Sequence, residues 1–284
     1  MMLELFAHEL AAVERRLAHD PLLSLSEAMR RIPLEVFGEL CLSVPDTLGA
    51  IRSRLPTMAS DEVQRNWTGN CGQALMNQSV AFVRTMLSMH GSRGGKETAS
   101  LRILDFGCGW GRLLRLLLKF VPADGLHGVD PWHRSIDLCR EHGIPCRLAL
   151  SDYVPRSLPF DGSFDLVYAF SVFTHLSEST ARAALSTIRR SIAEDGLLCL
   201  TIRPVEYWHH HGPNGEPACI DQHRHHGFAF LPHANREPIA GEITYGDTSM
   251  TLDHLAMLAE GWTIAEVEWN PCDPLQVVVG LVPS

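Results

Sequence analysis

The chain has 284 residues, enough for one large domain or a domain with an added lid, and 45% of them are hydrophobic, as in ordinary globular proteins. Its formal net charge is −9, from 33 acidic and 24 basic residues, which argues against a general nucleic-acid binder because such proteins need a basic face. Its eight cysteines form no C-x-x-C pair, which is typical of free, mostly buried thiols rather than of disulfides or a zinc knuckle.

The first third of the chain has a helical pattern. Apolar residues recur at helical spacing in residues 3–17 and again in residues 73–89, and prolines divide the stretch between them into short pieces. Charged residues interrupt the N-terminal apolar positions, and no apolar run is long enough to span a bilayer. We therefore expect residues 1–99 to form a helical cap in a cytoplasmic protein, with a linker beginning at Gly91.

Residues 100–284 are predicted to form the core of the protein. Within them, residues 101–203 alternate short apolar runs with helical stretches. The predicted strands are 101–106, 126–129, 147–150, 164–170 and 197–202, and the predicted helices are 112–120, 133–141 and 180–192. Strands that alternate with helices predict a mostly parallel sheet covered on both faces.

The last third changes character. Residues 204–250 are rich in His, Pro and Gly and show no periodicity, which predicts a long irregular insertion after the fifth strand. A helix at 252–260 and strands at 262–269 and 276–282 follow it. The turn-like sequence N-P-C-D-P between these strands predicts that they run antiparallel at the edge of the sheet.

The most informative segment is I-L-D-F-G-C-G-W-G-R, residues 103–112. Here a buried strand leads through three glycines into a helix, and glycine is needed where the backbone takes a positive φ or approaches a ligand closely. The spacing G-x-G-x-G differs from the G-x-G-x-x-G of dinucleotide sites. Asp105 at the end of the strand would repel a pyrophosphate but suits an ammonium or hydroxyl group. These features favour a nucleoside with an aminoacyl tail over a dinucleotide.

This glycine loop resembles motif I of the class I S-adenosylmethionine-dependent methyltransferases, and later motifs of that family follow in order. They are G-V-D at 128–130, S-D-Y at 151–153, F-D-L-V-Y-A-F-S-V-F-T-H-L at 164–176 and G-L-L-C-L-T-I at 196–202. The resemblance covers roughly residues 100–203. It implies an α/β fold with a Rossmann-like, seven-stranded, mostly parallel sheet whose last strand is antiparallel, and it implies S-adenosylmethionine as the cofactor.

The resemblance also implies roles for individual residues. Asp130 would hold the ribose hydroxyls, Asp152 would lie near the adenine amino group, and Trp67 of the N-terminal helices would lie over the methionine end. The complete set of predicted cofactor-binding residues is Asp105, Gly107, Gly109, Gly111, Asp130, Asp152, Tyr153, Phe170, Ser171 and Trp67.

Two longer strings, F-G-C-G-W-G-R-L-L-R and S-V-F-T-H-L-S-E, resemble bacterial methyltransferases of polysaccharide and secondary-metabolite pathways. This implies a small-molecule acceptor, with no nucleic-acid or membrane partner, and it leaves a homodimer open. We take a hydroxyl oxygen of a sugar, glycan precursor or natural product as the acceptor. An N-methyltransferase, a non-catalytic S-adenosylmethionine-binding protein and a nicotinamide-dependent oxidoreductase are the alternatives.

A hydroxyl acceptor requires a base, and histidine is the commonest one. His175 follows the fourth strand and is one candidate, although packing or capping of a helix would also explain it. Seven of the fifteen histidines lie within residues 209–233. This cluster would be a lid that supplies a base, a solvated loop or a metal site; its spacing fits no fixed metal-ligand motif, so we expect no metal. Under the lid hypothesis the further candidates are His209, His210 and His211.

Overall fold

The computed structural model describes residues 2–212, 215–269 and 272–284. The chain divides into two units, Met1–Ala149 and Leu150–Ser284. This division differs from the predicted one, with a cap at 1–99 and a core at 100–284, which stays a prediction. Among the described residues, no helix is both long enough and apolar enough to cross a membrane.

The first unit begins with seven helices, as the periodicity of residues 3–17 and 73–89 predicts. They are α1 Met2–Leu5, α2 Ala7–His19, α3 Leu25–Ala28, α4 Leu34–Leu42, α5 Gly49–Arg52, α6 Asp61–Thr68 and α7 Gly72–Ser92. Helix α6 begins after Ser60, whose side chain accepts the Val63 N–H, and it ends at Gly69, where φ is 74°. Residues 2–92 are thus held by local helix signals and by apolar packing between the helices.

The remainder of the first unit alternates strands and helices. It contains a 3₁₀ turn at Thr98–Ser100, β1 Ile103–Phe106, α8 Leu114–Leu117, a 3₁₀ turn at Ala123–Gly125, β2 Leu126–Asp130, α9 His133–Glu141 and β3 Arg147–Leu150. Strands β1 and β2 pair in parallel. The helix predicted over 112–120 is wrong in length, because the backbone on both sides of α8 closes tighter i→i−3 bonds, such as Lys119 N–H to the Leu116 carbonyl at 3.2 Å.

The second unit carries the rest of the strands. Its elements are β4 Phe164–Ala169, α10 Glu178–Arg189, β5 Ile192–Ile202, a 3₁₀ helix at Val205–His209, α11 Pro217–His226, β6 Phe228–Pro232, β7 Gly246–Met250, α12 Leu252–Leu258, β8 Trp262–Trp269 and β9 Val277–Pro283. Strands β4 and β5 are parallel, whereas β9 runs antiparallel to both β5 and β8.

Seven strands form one sheet in the order β3-β2-β1-β4-β5-β9-β8. Every residue of β1 and β4 is buried, which explains why both strands are apolar except for one aspartate each and show no alternation. The predicted Rossmann-like fold, with a mostly parallel sheet and antiparallel pairing at its edge, is confirmed.

The prediction that residues 204–250 form an irregular insertion is wrong for much of that range. The described part contains the 3₁₀ helix, α11 and a separate two-stranded sheet of β6 and β7. Helix α11 buries Cys219, Ile220 and His223, and a histidine on the buried face does not register as apolar. All five residues of β7, G-D-T-S-M, are buried although most are polar, so no hydrophobic alternation marks the strand.

Candidate functional site

The glycine loop after β1 has the backbone that its sequence predicts. The φ angles of Gly107, Gly109 and Gly111 are 84°, 53° and 77°, a region that disfavours side chains. The N–H groups of Gly107 and Cys108 both donate to the Val129 carbonyl at 2.9 Å, which fastens the loop to β2. The three glycines are therefore required by the chain conformation itself.

Two of these glycines differ in their surroundings. A Cβ on Gly111 would lie 2.8 Å from Ile144 Cγ1 and 3.2 Å from Cys139 Sγ, so this glycine serves close packing. A Cβ on Gly109 would meet only the edge of the Trp67 ring, at 3.9 Å. Close packing therefore does not require a glycine at position 109, where a Cβ would be in ordinary contact with the Trp67 ring.

Asp130 ends β2 and its carboxylate closes over the glycine loop. It accepts the Gly109 N–H at 3.0 Å and the Trp132 N–H at 2.9 Å. Burial raises the pKa of this carboxyl group, while the hydrogen bonds from Trp132, Ser135 and Gly109 lower it. Two backbone bonds fix the carboxylate and leave acceptor capacity for the hydroxyls of a diol.

Two tryptophans form an aromatic pair beside the loop. Trp67 of α6 stacks on Trp132, with ring centroids 4.7 Å apart and planes 20° from parallel. Trp67 also packs against a buried cluster that includes Trp110 and Leu75, while 44% of Trp132 is exposed. The predicted residue Trp67 is therefore brought next to Gly109. Asp105 is 3% exposed at the end of β1.

The predicted cofactor residues of the second unit have a less uniform setting. Asp152 and Tyr153 are exposed after β3, whereas Phe170 is buried after β4. Ser171 has a φ of 58°, which is uncommon for a residue other than glycine, and its N–H donates to Thr201 Oγ1 at 2.8 Å. A strained turn thus follows β4 where the sequence places the methionine part of the cofactor.

The second unit gathers a polar cluster around one carboxylate, Asp247 of β7. Its Oδ1 accepts from Arg203 Nη1 at 2.6 Å and from the Tyr207 hydroxyl at 2.9 Å. Its Oδ2 lies 3.3 Å from His211 Nε2 and 2.9 Å from His233 Nε2. We call these five residues the Asp247 cluster.

The ionisation of the cluster follows from its geometry. Burial opposes the charged carboxylate, but the hydrogen bond from His233 and the charge of Arg203 together hold the pKa of Asp247 well below its usual range. Burial raises the pKa of Tyr207, so its hydroxyl keeps its proton and donates. Asp247 is therefore an anion that four donors surround.

His175, a predicted catalytic residue, lies beside this cluster with both ring nitrogens engaged. Nδ1 lies 2.7 Å from the Gly246 carbonyl and Nε2 lies 3.3 Å from Arg203 Nη2. The ring stacks on Tyr245 at a centroid distance of 5.1 Å. Burial, reinforced by the positive charge of Arg203, lowers the pKa of His175 to about 4. His175 is accordingly a neutral imidazole held in one orientation.

The three neighbouring candidates separate from one another. His209 and His210 are exposed. His211 is the only one of the three that contacts Asp247; its Nδ1 is buried without a hydrogen-bond partner in the described chain and lies 3.5 Å from Glu216 Oε1. The structure thus places His211 in the Asp247 cluster and His175 beside it, and it leaves His209 and His210 outside. All four assignments to catalysis stay predictions.

Sequence reasoning missed Arg203, Tyr207 and Asp247 as one functional group. Asp247 lies 40 residues after Tyr207 in the chain, and β7 has no hydrophobic pattern from which its pairing could be predicted. The one available signal was the density of histidines, which pointed to residues 209–233 but did not distinguish His211 and His233 from the other histidines there. Among the described residues, no group of three or more His, Cys, Asp or Glu side chains is arranged to hold a metal ion.

The chain has relatives of known class. Residues 103–196 match the family model of a methyltransferase domain. The chain is 29% identical over 127 residues to an uncharacterized methyltransferase of Schizosaccharomyces pombe, which covers 38% of this chain and 45% of that protein. It is 28% identical over 100 residues to a probable fatty acid methyltransferase of Pseudomonas putida, which covers 34% of this chain and 25% of that protein. The match thus spans less than half the length of either relative.

A solved S-adenosylmethionine-dependent methyltransferase from Clostridium acetobutylicum has the same fold, with a TM-score of 0.54 at 10% identity over 78% of this chain and 96% of that one. The sheet order is that of the Rossmann-like methyltransferase fold. Residues 103–196 thus match a methyltransferase domain, and the strands have the arrangement of the Rossmann-like methyltransferase fold, as the motifs predicted.

Proposed function

We propose that this chain is an enzyme that transfers the methyl group of S-adenosylmethionine to a hydroxyl oxygen of a small molecule, such as a sugar, a glycan precursor or a natural product. The observation that carries the proposal is the Asp247 cluster, a buried anion that orients imidazole rings. An oxygen acceptor needs a group that takes its proton during the transfer, and an oriented imidazole suits that task.

The cofactor half of the proposal rests on the first unit. The loop of Gly107, Gly109 and Gly111 lies beside Trp67, and the Asp130 carboxylate is fixed at the loop with acceptor capacity to spare. We assign the glycine backbone to the aminoacyl part of the cofactor and Asp130 to the ribose hydroxyls. When bound, S-adenosylmethionine supplies an electrophilic methyl group on a sulfonium.

In the second unit the chain's own residues prepare the acceptor. Arg203 and Tyr207 hold the Asp247 carboxylate in place, and the carboxylate in turn orients the histidines that contact it. Because His175 is neutral and locked between Gly246 and Arg203, it contributes shape rather than charge. The chemistry of these groups fits a neutral hydroxyl acceptor better than a cationic one, since Arg203 is part of the cluster.

Calorimetry tests the cofactor assignment. We expect the protein to bind S-adenosylmethionine and its demethylated product, and Asp130→Asn to weaken both by about tenfold or more, because one charged acceptor of the diol is lost. Asp137→Asn, on the exposed face of α9, is the matched control. Tight binding of NAD without binding of either S-adenosyl compound would overturn the proposal.

A transfer assay with tritiated S-adenosylmethionine tests the acceptor. The panel contains phenol, methyl glucoside, decanoate and benzylamine, which represent aromatic hydroxyls, sugars, fatty acids and amines. We expect label in a hydroxyl acceptor. Label in benzylamine alone would replace O-methylation by N-methylation, and cofactor binding without label in any acceptor would favour a non-catalytic binding protein.

A further inference from the structure

We propose that His233 is the residue that takes the proton from the acceptor hydroxyl, with Asp247 as the residue that positions it. This inference rests on the proposed O-methyl transfer and names its base. No motif of the sequence points to His233 over the other histidines of the region. The choice comes from the hydrogen bonds that each imidazole makes.

The hydrogen bonds to Asp247 determine which ring nitrogens of two histidines carry a proton. An ionised carboxylate only accepts hydrogen bonds, so every ring nitrogen that faces Asp247 must carry a proton. His233 Nε2 lies 2.9 Å from Asp247 Oδ2 and His211 Nε2 lies 3.3 Å from the same oxygen. Nε2 of both rings therefore carries a proton, and in a neutral His233 ring this leaves the lone pair on Nδ1.

His211 and His175 offer no ring lone pair to an acceptor. Nδ1 of His211 is buried and lies 3.5 Å from the Glu216 carboxylate. In His175 the order is reversed, since Nδ1 donates to the Gly246 carbonyl and Nε2 accepts from Arg203. Neither ring has a lone pair that an acceptor can reach in this arrangement.

His233 differs from both of them. Its Nδ1 has no hydrogen-bond partner in the described part of the chain, and 35% of its side chain is exposed. Its backbone N–H donates to the Tyr245 carbonyl at 3.2 Å, and its ring meets the Tyr245 ring edge-on at 5.5 Å. Asp247 thus fixes the ring at Nε2, and Tyr245 holds the main chain of His233 and packs against the ring. Nδ1 is left open.

The groups around the His233 ring differ in charge. Asp247 faces the imidazole directly, and an imidazolium that forms at His233 gains an ion pair with it. Arg203 contacts the opposite oxygen of Asp247, at 2.6 Å, and keeps the carboxylate from rotating. His175 lies 6.4 Å away by ring centroid and is neutral.

The O–H proton of the acceptor passes to Nδ1 of His233, and the acceptor oxygen forms a bond to the methyl carbon. The electron pair of the broken carbon–sulfur bond goes to sulfur, which loses its positive charge. The imidazolium then releases its proton to water, and no oxidant, reductant or metal is required.

The first test needs no acceptor. Long-range ¹H–¹⁵N correlation spectra of histidine-labelled protein report the tautomer of each ring, and His233→Gln assigns the signal. We expect the Nε2–H form at His233, and we expect Asp247→Asn to shift that ring toward a mixture of tautomers while His225, exposed on α11, keeps its spectrum. A proton on Nδ1 of neutral His233 would overturn the assignment.

The second test is kinetic and uses phenol and methyl glucoside as hydroxyl acceptors. In His233→Gln the side-chain amide can still donate to Asp247 but accepts no proton, so we expect the methylation rate near neutral pH to fall by about 100-fold or more, with calorimetric affinity for S-adenosylmethionine unchanged. The variant should regain rate as the pH rises and the acceptor ionises by itself. His225→Gln is the control and should keep the wild-type profile.

The outcomes separate the two proposals. A wild-type rate and pH profile in His233→Gln would overturn His233 as the base while leaving O-methyl transfer intact. If the wild-type protein methylates neither hydroxyl acceptor, the proposed function fails, and the tautomer spectra still decide whether His233 has the state that the structure assigns.

Discussion

Gly109 and Gly111 share a positive φ but differ in what surrounds them, and this allows packing to be separated from ligand approach. For Gly111→Ala we expect the free energy of unfolding to fall by about 2–4 kcal/mol, from backbone strain plus a methyl group forced against Ile144 and Cys139. For Gly109→Ala we expect about 1–2 kcal/mol, since only strain applies. Urea denaturation measures both.

The two substitutions should also differ in their effect on cofactor binding. The methyl group of Gly109→Ala would lie between the loop and Trp67, 3.9 Å from the ring edge. Calorimetry should therefore show that this variant binds S-adenosylmethionine more weakly, although it loses little stability. Equal destabilisation by both substitutions, with unchanged affinity in Gly109→Ala, would contradict the division of roles.

At the scale of elements, β7 is held by polar contacts that are buried. Ser249 Oγ accepts from Trp208 Nε1 at 2.6 Å and lies 2.7 Å from His223 Nδ1, so one hydroxyl joins the 3₁₀ helix and α11 to β7. Thr248 donates to the Leu176 carbonyl at 2.6 Å. This strand carries Asp247, and its position depends on those contacts rather than on an apolar face.

Ser249→Ala should therefore be costly for so small a change. It leaves the Trp208 N–H and a His223 nitrogen buried without a partner, and we expect the free energy of unfolding to fall by about 2–4 kcal/mol. Ser186→Ala, on the exposed face of α10, is the matched control and should change stability by less than about 0.5 kcal/mol. Equal values for the two variants in urea denaturation would show that the Ser249 contacts contribute little.

The elements also show where periodicity succeeds and fails as a predictor. Strands β1, β4 and β5 were found because their side chains are apolar along most of their length, and α7 because its apolar residues recur every three to four positions. Strand β7 and helix α11 were missed because the groups that they bury are Asp, Thr, Ser and His. Burial of polar groups depends on partners distant in the chain, which no local pattern records.

For the whole molecule, buried neutral histidine makes stability depend on pH. The pKa of His175 is about 4 in the folded protein, against about 6.5 in an unfolded chain. Between these values the unfolded state binds more protons, so the stability that this residue contributes is complete above about pH 6.5 and is lost as the pH falls toward 4. The loss amounts to about 3 kcal/mol at most.

Urea denaturation from about pH 7 to pH 4 measures this effect. We expect His175→Gln to flatten the dependence over that interval, because the titrating ring is gone while an amide remains to bond Gly246. His8→Gln, an exposed histidine of α2, is measured in parallel. An unchanged slope in His175→Gln would show that other groups carry the acid sensitivity.

The amino-acid sequence by itself determined the class of the fold and the donor side of the chemistry. Both depend on local features: apolar runs that form buried strands, glycines at positions where the backbone has a positive φ, and the acid at the end of β2. The tertiary structure alone decided which histidines meet. A hydrogen bond joins residues that are distant in sequence, so only the folded chain shows that Asp247 selects His211 and His233, that Arg203 and Gly246 engage His175, and that His209 and His210 lie outside.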